Sequence, residues 1–265
     1  MLVRLGKVLG AGEDVGRDAG RTGLAVAAAA CAAAVLVSLG LRLYEVPQWS
    51  ADKFFVAGER LMGTHDAYAW LAGAQETSRY VLGHLARLLA FLHGATGLSL
   101  ATLGFWLPVV FAPLAVLPPA VLAWRMGRPE AGAVAGALAA GCFGFLVRTR
   151  VGYLDTDVLT LFFAAAAAAA LCLWLAPLCR PGWLPGAADR PGREGEEGQP
   201  AWMSLALAVL LGLFLRVYTV HFYSSGRPIV WALLLTALAL GLFLARPGQR
   251  GRVLLGLSLI VATWL

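Results

Sequence analysis

The sequence predicts an all-α, polytopic membrane protein with about seven transmembrane helices and a long first external loop that contains interfacial helices. Two observations support this fold class. Of the 265 residues, 60% are hydrophobic and only 14% are charged, with a mean hydropathy of +0.74. A soluble domain needs more charged residues to cover its surface. In addition, apolar runs long enough to cross a bilayer, about 18 residues or more, recur along the chain.

Six apolar runs are separated by short polar connections. They occupy approximately Leu24–Leu41, Leu98–Trp124, Glu130–Val147, Val158–Leu178, Trp202–Phe222 and Pro228–Ala245. A seventh begins near Val253 and continues to Leu265, so we expect the chain to be truncated. The first run follows a long charged leader, residues 1–23, and lacks a small-residue cleavage site, which favours a retained anchor over a signal peptide. Four prolines in the second run predict a kinked helix.

The distribution of arginine predicts the orientation, because cytoplasmic loops collect Lys and Arg. With a cytosolic N-terminus, every short inner connection is basic, including the Pro/Gly-rich linker at residues 180–200. The first external loop, residues 42–97, and the turn from Arg148 to Asp157 then lie on the opposite side. Arg148 and Arg150 break the positive-inside trend, which suggests that they have a specific role.

The first external loop contains an amphipathic segment preceded by an acidic residue. From Ser78 to Leu92, apolar residues recur at helical spacing, which predicts a helix lying in the membrane interface. Asp66 comes shortly before this segment, with Tyr68 and Trp70 as expected interfacial anchors. We therefore expect Asp66 to lie at the membrane surface on the external side.

Asp66, Asp155 and Asp157 are predicted to lie at the same depth on the same side. In a turn, Asp155 and Asp157 can point in one direction, and three convergent carboxylates require a cation or an arginine to balance their charge. All-oxygen ligands suit Mg²⁺ or Mn²⁺. Arg148, just before the pair, is suited to an anionic group such as a phosphate.

Structural interpretations of these acids remain open at this stage. Asp155 precedes an apolar run and is equally interpretable as a helix N-cap, with Asp157 favoured by the helix dipole. Asp66 taken alone is interpretable as a solvated loop acid. Ionisable residues packed against membrane spans nevertheless indicate a functional site, and the three acids together strengthen that indication.

Two stretches resemble a known family. "HDAYAWLAGA", which contains Asp66, and "RTRVGYLDTD", residues 148–157, resemble the two acidic motifs of the oligosaccharyltransferase catalytic subunit family, which includes the eukaryotic Stt-three subunit and bacterial PglB. The resemblance covers the chain as the N-terminal transmembrane part of that family. It implies a GT-C-type glycosyltransferase of protein N-glycosylation. Such an enzyme transfers an oligosaccharide from a polyprenyl-pyrophosphate lipid carrier to the Asn of Asn-X-Ser/Thr sequons.

The resemblance also implies roles for individual residues. Asp66, Asp155 and Asp157 match the family's metal-binding aspartates, with Mn²⁺ or Mg²⁺ as cofactor, and Arg148 matches the arginine before the second motif, so these four are the candidate catalytic residues. A weaker match, "FYSSGRP", suggests donor-binding roles for Tyr223, Ser224 and Arg227. The family's later external loop, with a further glutamate, and its C-terminal soluble domain with a W-W-D motif are absent. We therefore expect this chain by itself to be inactive.

Two other functions are alternatives to this one. A different polyprenyl-phosphate-sugar-dependent transferase, such as a protein O-mannosyltransferase, also places acids in the first outer loop, but the second "DTD" motif argues against it. A transporter would place its charges near the bilayer midplane rather than at its edge. The expected partners are the lipid-linked donor, an acceptor polypeptide and membrane lipids, with no nucleic acid. The expected location is a bacterial inner membrane, with the active site on the non-cytosolic face.

Overall fold

The computed structural model describes residues 19–77, 83–125, 128–179, 201–219, 227–246 and 248–265, and most of them are helical. The α-helices, in chain order, are α1 Ala19–Leu43, α2 His65–Ala74, α3 His84–Thr96, α4 Leu100–Phe111, α5 Leu117–Arg125, α6 Pro129–Gly141, α7 Phe143–Arg148, α8 Asp157–Leu175, α9 Ala201–Val217, α10 Arg227–Leu244 and α11 Arg250–Trp264. A small antiparallel hairpin pairs β1, Phe55–Val56, with β2, Glu59–Arg60. Short 3₁₀ turns connect several helices.

Four helical stretches in the described part of the chain are long and apolar enough to cross a membrane. They are Ala25–Ser50, Leu100–Trp124, Asp157–Leu178 and Arg227–Leu244, and α9 is a shorter apolar helix. This agrees with the predicted helical membrane fold. The total of seven spans stays a prediction. The predicted leader, residues 1–23, falls mostly outside the described residues, and the predicted linker, residues 180–200, falls wholly outside them.

Proline interrupts the second apolar run, as the sequence predicted. α4 ends at Phe111 and α5 begins at Leu117, and a 3₁₀ turn from Ala112 to Val116 joins them. Pro113 lies in the first turn of this 3₁₀ segment. Because proline has no backbone N–H and its ring crowds the preceding turn, Pro113 removes a hydrogen bond of the regular α-helix, which favours the change to a 3₁₀ turn.

The third apolar run is not one continuous helix, which corrects the single stretch expected over Glu130–Val147. α6 ends at Gly141, and Cys142 adopts an extended backbone with φ −61° and ψ 137° before α7 begins. α7 then ends at Arg148. Hydropathy did not reveal the break, since the residues on both sides of Cys142 are apolar.

Small residues allow α6 to pack closely against the second run, as the sequence predicted for the "GAVAG" stretch. A Cβ atom at Gly136 would lie 2.8 Å from Val116 Cγ1, and one at Gly132 would lie 2.9 Å from the Cα of Ala120. Both distances are shorter than real Cβ contacts permit. The two segments therefore approach to a distance that only glycine tolerates at these positions.

Two large apolar cores share α8. One gathers the first outer segment, α4 and the turn before α8, and includes the buried residues Trp49, Leu71, Leu89, Phe105, Leu154 and Val158. The other joins the rest of α8 to α9, α10 and α11. The start of α8 thus lies against the outer segment, and this contact determines where the acidic turn is held. Within that segment, helix α3 begins at His84 rather than Ser78, and residues 78–82 lie outside the described residues.

Candidate functional site

A backbone hydrogen bond joins the two acidic segments. The amide of Gly63 donates to the carbonyl of Gly152 at 2.8 Å, and the amide of Gly152 donates to the carbonyl of Phe105 at 3.1 Å. Gly152 has a φ of +74°, in the left-handed region that favours glycine. The turn after α7 is therefore hydrogen-bonded both to α4 and to the residues just before α2. The two acidic segments are held together in this way although they are far apart in sequence.

The contact between the two segments is also close at the side-chain level. A Cβ atom at Gly63 would overlap the ring of Tyr153. Tyr153 in turn lies under the Arg150 guanidinium, which is 4.8 Å from its ring centroid. Because residue 63 is glycine, the Tyr153 ring of the second motif can pack directly against the backbone just before α2.

Asp66 lies in the first turn of α2. The Thr64 hydroxyl caps this helix by accepting from the amide of Ala67 at 3.3 Å, which fixes where the helix starts. The Asp66 side chain is 49% exposed, and its Oδ1 lies 3.2 Å from Nε2 of His65. The hydroxyl of Tyr68 accepts a hydrogen bond from the amide of Met62 at 3.0 Å. The role of Tyr68 as an interfacial anchor stays a prediction.

Arg148 contacts both aspartates of the second motif. Its Nε donates to Oδ2 of Asp157 at 2.7 Å, and its Nη2 lies 3.5 Å from Oδ2 of Asp155. The hydrogen bond and charge of Asp157, followed by the charges of Asp155 and Asp66, raise the pKa of Arg148. All three predicted carboxylates therefore act on one exposed guanidinium, and Asp157 dominates.

The N-cap interpretation of Asp155 is wrong. The residue that precedes α8 is Thr156, and it makes no side-chain capping bond. Asp155 Oδ1 instead accepts from the amide of the next residue, Thr156, at 2.6 Å and from its hydroxyl at 3.3 Å. Asp157 is the first residue of α8, where its charge suits the helix dipole. The turn therefore directs one oxygen of each aspartate toward Arg148.

The carboxylate oxygens of the candidate acids are the type of ligand that a hard divalent cation binds. Their arrangement meets the geometric requirement of such a site only in part. Within the described ranges, no group of three or more His, Cys, Asp or Glu side chains lies close enough together to hold a metal ion. The two aspartates of the second motif nevertheless present carboxylate oxygens to a shared cation, the Arg148 guanidinium. Oxygens presented in this way are the ligands that Mg²⁺ and Mn²⁺ prefer.

Arg148 was expected to bind a phosphate, and the structure limits how it can do so. Its Nε and Nη2 already contact the aspartates, which leaves its Nη1 edge for an anion. Of the suggested donor-binding residues, Arg227 is exposed at the first residue of α10, and Tyr223 and Ser224 lie outside the described residues. Donor binding by these residues stays a prediction.

Sequence reasoning missed the contacts between the end of α1 and the second motif. Arg150, suspected only for its charge, pairs through Nε with Oε2 of Glu45 at 3.1 Å. Arg42 is fully buried and binds Thr149. A charged residue in the last turn of an apolar span was the available signal, because ionisable groups at membrane depth are costly unless they have partners.

Comparison with known proteins identifies relatives of this chain. The family model described as oligosaccharyl transferase STT3, N-terminal, matches residues 77–265, which include the second acidic motif and exclude Asp66. Undecaprenyl-diphosphooligosaccharide–protein glycotransferases from two strains of Campylobacter jejuni are 29% and 28% identical over 140 residues, which make up 48% of this chain and 19% of each relative. The matched region thus spans about a fifth of the length of these curated relatives.

A solved structure has a similar fold. The crystal structure of the Archaeoglobus fulgidus oligosaccharyltransferase in its apo form superposes with a TM-score of 0.57 at 14% identity. The match covers 90% of this chain and 33% of the archaeal chain. At this identity the likeness concerns the fold, and it extends over nearly all of the sequence, including parts outside the family match.

Proposed function

This chain belongs to the oligosaccharyl transferase STT3 family, and from that premise we propose that it forms the N-terminal membrane part of an enzyme of protein N-glycosylation. The proposed reaction transfers an oligosaccharide from a polyprenyl-pyrophosphate carrier to the Asn of an Asn-X-Ser/Thr sequon. The observation that carries this proposal is the pairing of Asp155 and Asp157 with Arg148, in a turn that a backbone hydrogen bond joins to the segment of Asp66. Acids and a guanidinium gathered at one point are suited to an amide acceptor and a diphosphate leaving group.

The acceptor in this reaction is an amide nitrogen, which is a weak nucleophile because its lone pair is conjugated with the carbonyl. A carboxylate that accepts a hydrogen bond from the amide N–H favours the form in which that conjugation is weakened. Asp66 is suited to this role, since its side chain is half-exposed and its only described ion-pair contact is with His65. Asp157 is less available, because Arg148 holds it at 2.7 Å.

Asp66, Asp155 and Asp157 are the residues that would hold Mn²⁺ or Mg²⁺ in this proposal. When bound, such an ion supplies positive charge that stabilises the negative charge developing on the diphosphate. Arg148 orients Asp157 and, through its Nη1 edge, offers further N–H groups to a phosphate oxygen. The chain's own residues thus position both the acceptor and the leaving group.

The proposal includes seven membrane spans in a bacterial inner membrane, with the site on the non-cytosolic face. The names of the curated relatives support a lipid diphosphate donor and a protein acceptor. Packing of the first outer segment and the acidic turn into one apolar core supports a shared side for the three acids. Basic residues at the opposite connections support the orientation.

The test is a transfer assay with the protein expressed from its complete gene. A labelled sequon peptide, a lipid-linked donor and Mn²⁺ are incubated with the purified protein in detergent, and glycopeptide is measured. The unaltered protein should form glycopeptide, Asp155→Ala should abolish its formation while leaving membrane insertion intact, and a chelator should stop it. A matched control is Asp52→Ala, which changes an exposed acid in the same outer segment. Transfer that survives Asp155→Ala would exclude the proposed site. Transfer to a hydroxyl instead of an asparagine would favour an O-glycosyltransferase.

A further inference from the structure

An arginine at the end of α1 is completely buried although it carries a charge. Arg42 has 0% of its surface exposed. Its Nε donates to the carbonyl of Thr149 at 3.1 Å, and its Nη2 donates to the Thr149 hydroxyl at 2.6 Å and to the carbonyl of Ala140 at 3.1 Å. Its Nη1 donates to the carbonyl and hydroxyl of Ser38 at 3.0 and 2.8 Å. One guanidinium therefore joins α1, the end of α6 and the residue after Arg148.

The helix break at Cys142 makes one of these acceptors available. The last carbonyls of an α-helix have no partner within the helix. Because α6 ends at Gly141, the Ala140 carbonyl is one of these groups, and Arg42 satisfies it. Among the described residues, Arg42 forms no ion pair with a carboxylate, and neutral oxygens hold its charge. Loss of the Arg42 guanidinium would leave several buried hydrogen-bond acceptors unpaired.

A second contact lies one turn further along the chain. Glu45, three residues after Arg42, pairs with Arg150 at 3.1 Å. Two residues near the end of α1 thus hold consecutive residues of the second motif: Arg42, in its last turn, holds Thr149, and Glu45, two residues after the helix ends, holds Arg150. Arg148 immediately precedes them and faces the acids. Its backbone position is therefore determined from α1, an element that contributes no acid to the site.

We infer that Arg42 is a positioning residue for the transfer reaction, which acts by holding Thr149 so that Arg148 meets Asp157. This inference rests on the proposed function. Lysine at this position would keep the charge but would present a single point of three donors, whereas the observed contacts require a planar fork that reaches three segments. Charge alone therefore does not account for arginine here.

The test compares Arg42→Lys with Arg128→Lys, the same change at an exposed arginine distant in sequence from the second motif, in the protein expressed from its complete gene. Arg42→Lys should lower kcat for glycan transfer by roughly 10²-fold, the effect of about 1 Å of misplacement, with a smaller change in the KM for the peptide. Arg128→Lys should leave both unchanged. In an Arg148→Ala background, Arg42→Lys should cause no further loss, since coupled residues are not additive. A full additional loss in that background would overturn the inference and indicate general destabilisation.

A measurement independent of activity separates this inference from the proposed function. Tyr44 and Phe143 are 79% and 82% exposed, so spin labels at these positions, in a background without native cysteines, report the distance between the end of α1 and the start of α7. Arg42→Lys should broaden this distance distribution, and Arg128→Lys should not. Thr149→Val removes the hydroxyl that accepts from Arg42 and donates to the carbonyl of Phe145, and it keeps the Thr149 carbonyl that accepts from Arg42 Nε. It is a milder second variant that should broaden the distribution less. If the unaltered protein transfers no glycan, the proposed function fails. An unchanged distribution in Arg42→Lys would overturn the positioning role itself.

Discussion

The amide of Gly63 donates to the carbonyl of Gly152 at 2.8 Å, and this bond joins the two acidic segments of the chain. The bond lies beside the ring of Tyr153, which occupies the space that a side chain at position 63 would need. The segments that carry Asp66 and the pair Asp155 and Asp157 therefore lie together because two glycines allow their backbones to meet. The acids themselves repel one another and would not bring the segments together.

Gly63→Ala should separate the two segments. Its Cβ would overlap the Tyr153 ring, and overpacking of this kind typically costs about 1–3 kcal/mol. We expect a lower melting temperature in detergent and a loss of glycan transfer larger than the change in stability predicts. Gly94→Ala is the control, because Gly94 lies in α3 with no atom within 4 Å of the added Cβ. Equal behaviour of the two variants would show that the contact with Tyr153 does not hold the site.

Arg148→Ala should reduce turnover with little effect on stability. The Arg148 side chain is 60% exposed, and exposed ion pairs contribute only about 0–1 kcal/mol. Groups that orient metal ligands are worth roughly 10- to 100-fold in metal affinity or activity, so we expect a loss of that size and a higher Mn²⁺ requirement. Titration of activity with Mn²⁺ measures both effects. Arg148→Lys should recover part of the loss, whereas a fall in melting temperature without a change in Mn²⁺ requirement would assign Arg148 a structural role.

Asp66 and Asp157 should face the non-cytosolic side of the membrane, and Arg190 should face the cytosol. The basic connections motivate this orientation, and the shared apolar core of the outer segment and the acidic turn motivates the common side. To measure the orientation, cysteine is introduced at each position, and its labelling by a membrane-impermeant thiol reagent is followed in intact cells. Asp66→Cys and Asp157→Cys should be labelled from the external side, and Arg190→Cys should be labelled only after the membrane is permeabilised. Labelling of Asp66→Cys and Asp157→Cys from opposite sides would exclude a common site.

The 265-residue chain, expressed alone, should not glycosylate. Three carboxylates supply only part of the shell of about six oxygen ligands that Mg²⁺ requires. The matched region also spans about a fifth of the length of the curated relatives. The assay is the same peptide transfer reaction, with the protein from the complete gene as the positive control. Glycopeptide above background from this chain would show that Asp66, Asp155 and Asp157, with water as the remaining metal ligands, are sufficient for glycan transfer.

Local pattern accounts for the parts of the fold that the sequence predicted. Long apolar runs need helices to satisfy their backbone in a membrane, and four such helices are present in the described residues. Prolines ended α4, and the glycines at 132 and 136 set the packing of α6, because these effects act through a residue's own backbone or its lack of a side chain. The break at Cys142 and the start of α3 at His84 were not predicted, since neither carries a proline or a change in hydropathy.

The sequence by itself determined the helical membrane class, the resemblance to a transferase family and the identity of the candidate acids. Composition, run length and short motifs are properties of the chain alone. Only the tertiary structure decided three contacts. Arg148 bonds chiefly to Asp157, Asp155 accepts from the amide of Thr156 and does not cap α8, and Arg42 binds Thr149 from α1. These contacts join residues that are far apart in the sequence or depend on a turn held by distant partners. Their geometry follows from how whole helices pack, and no local pattern contains it.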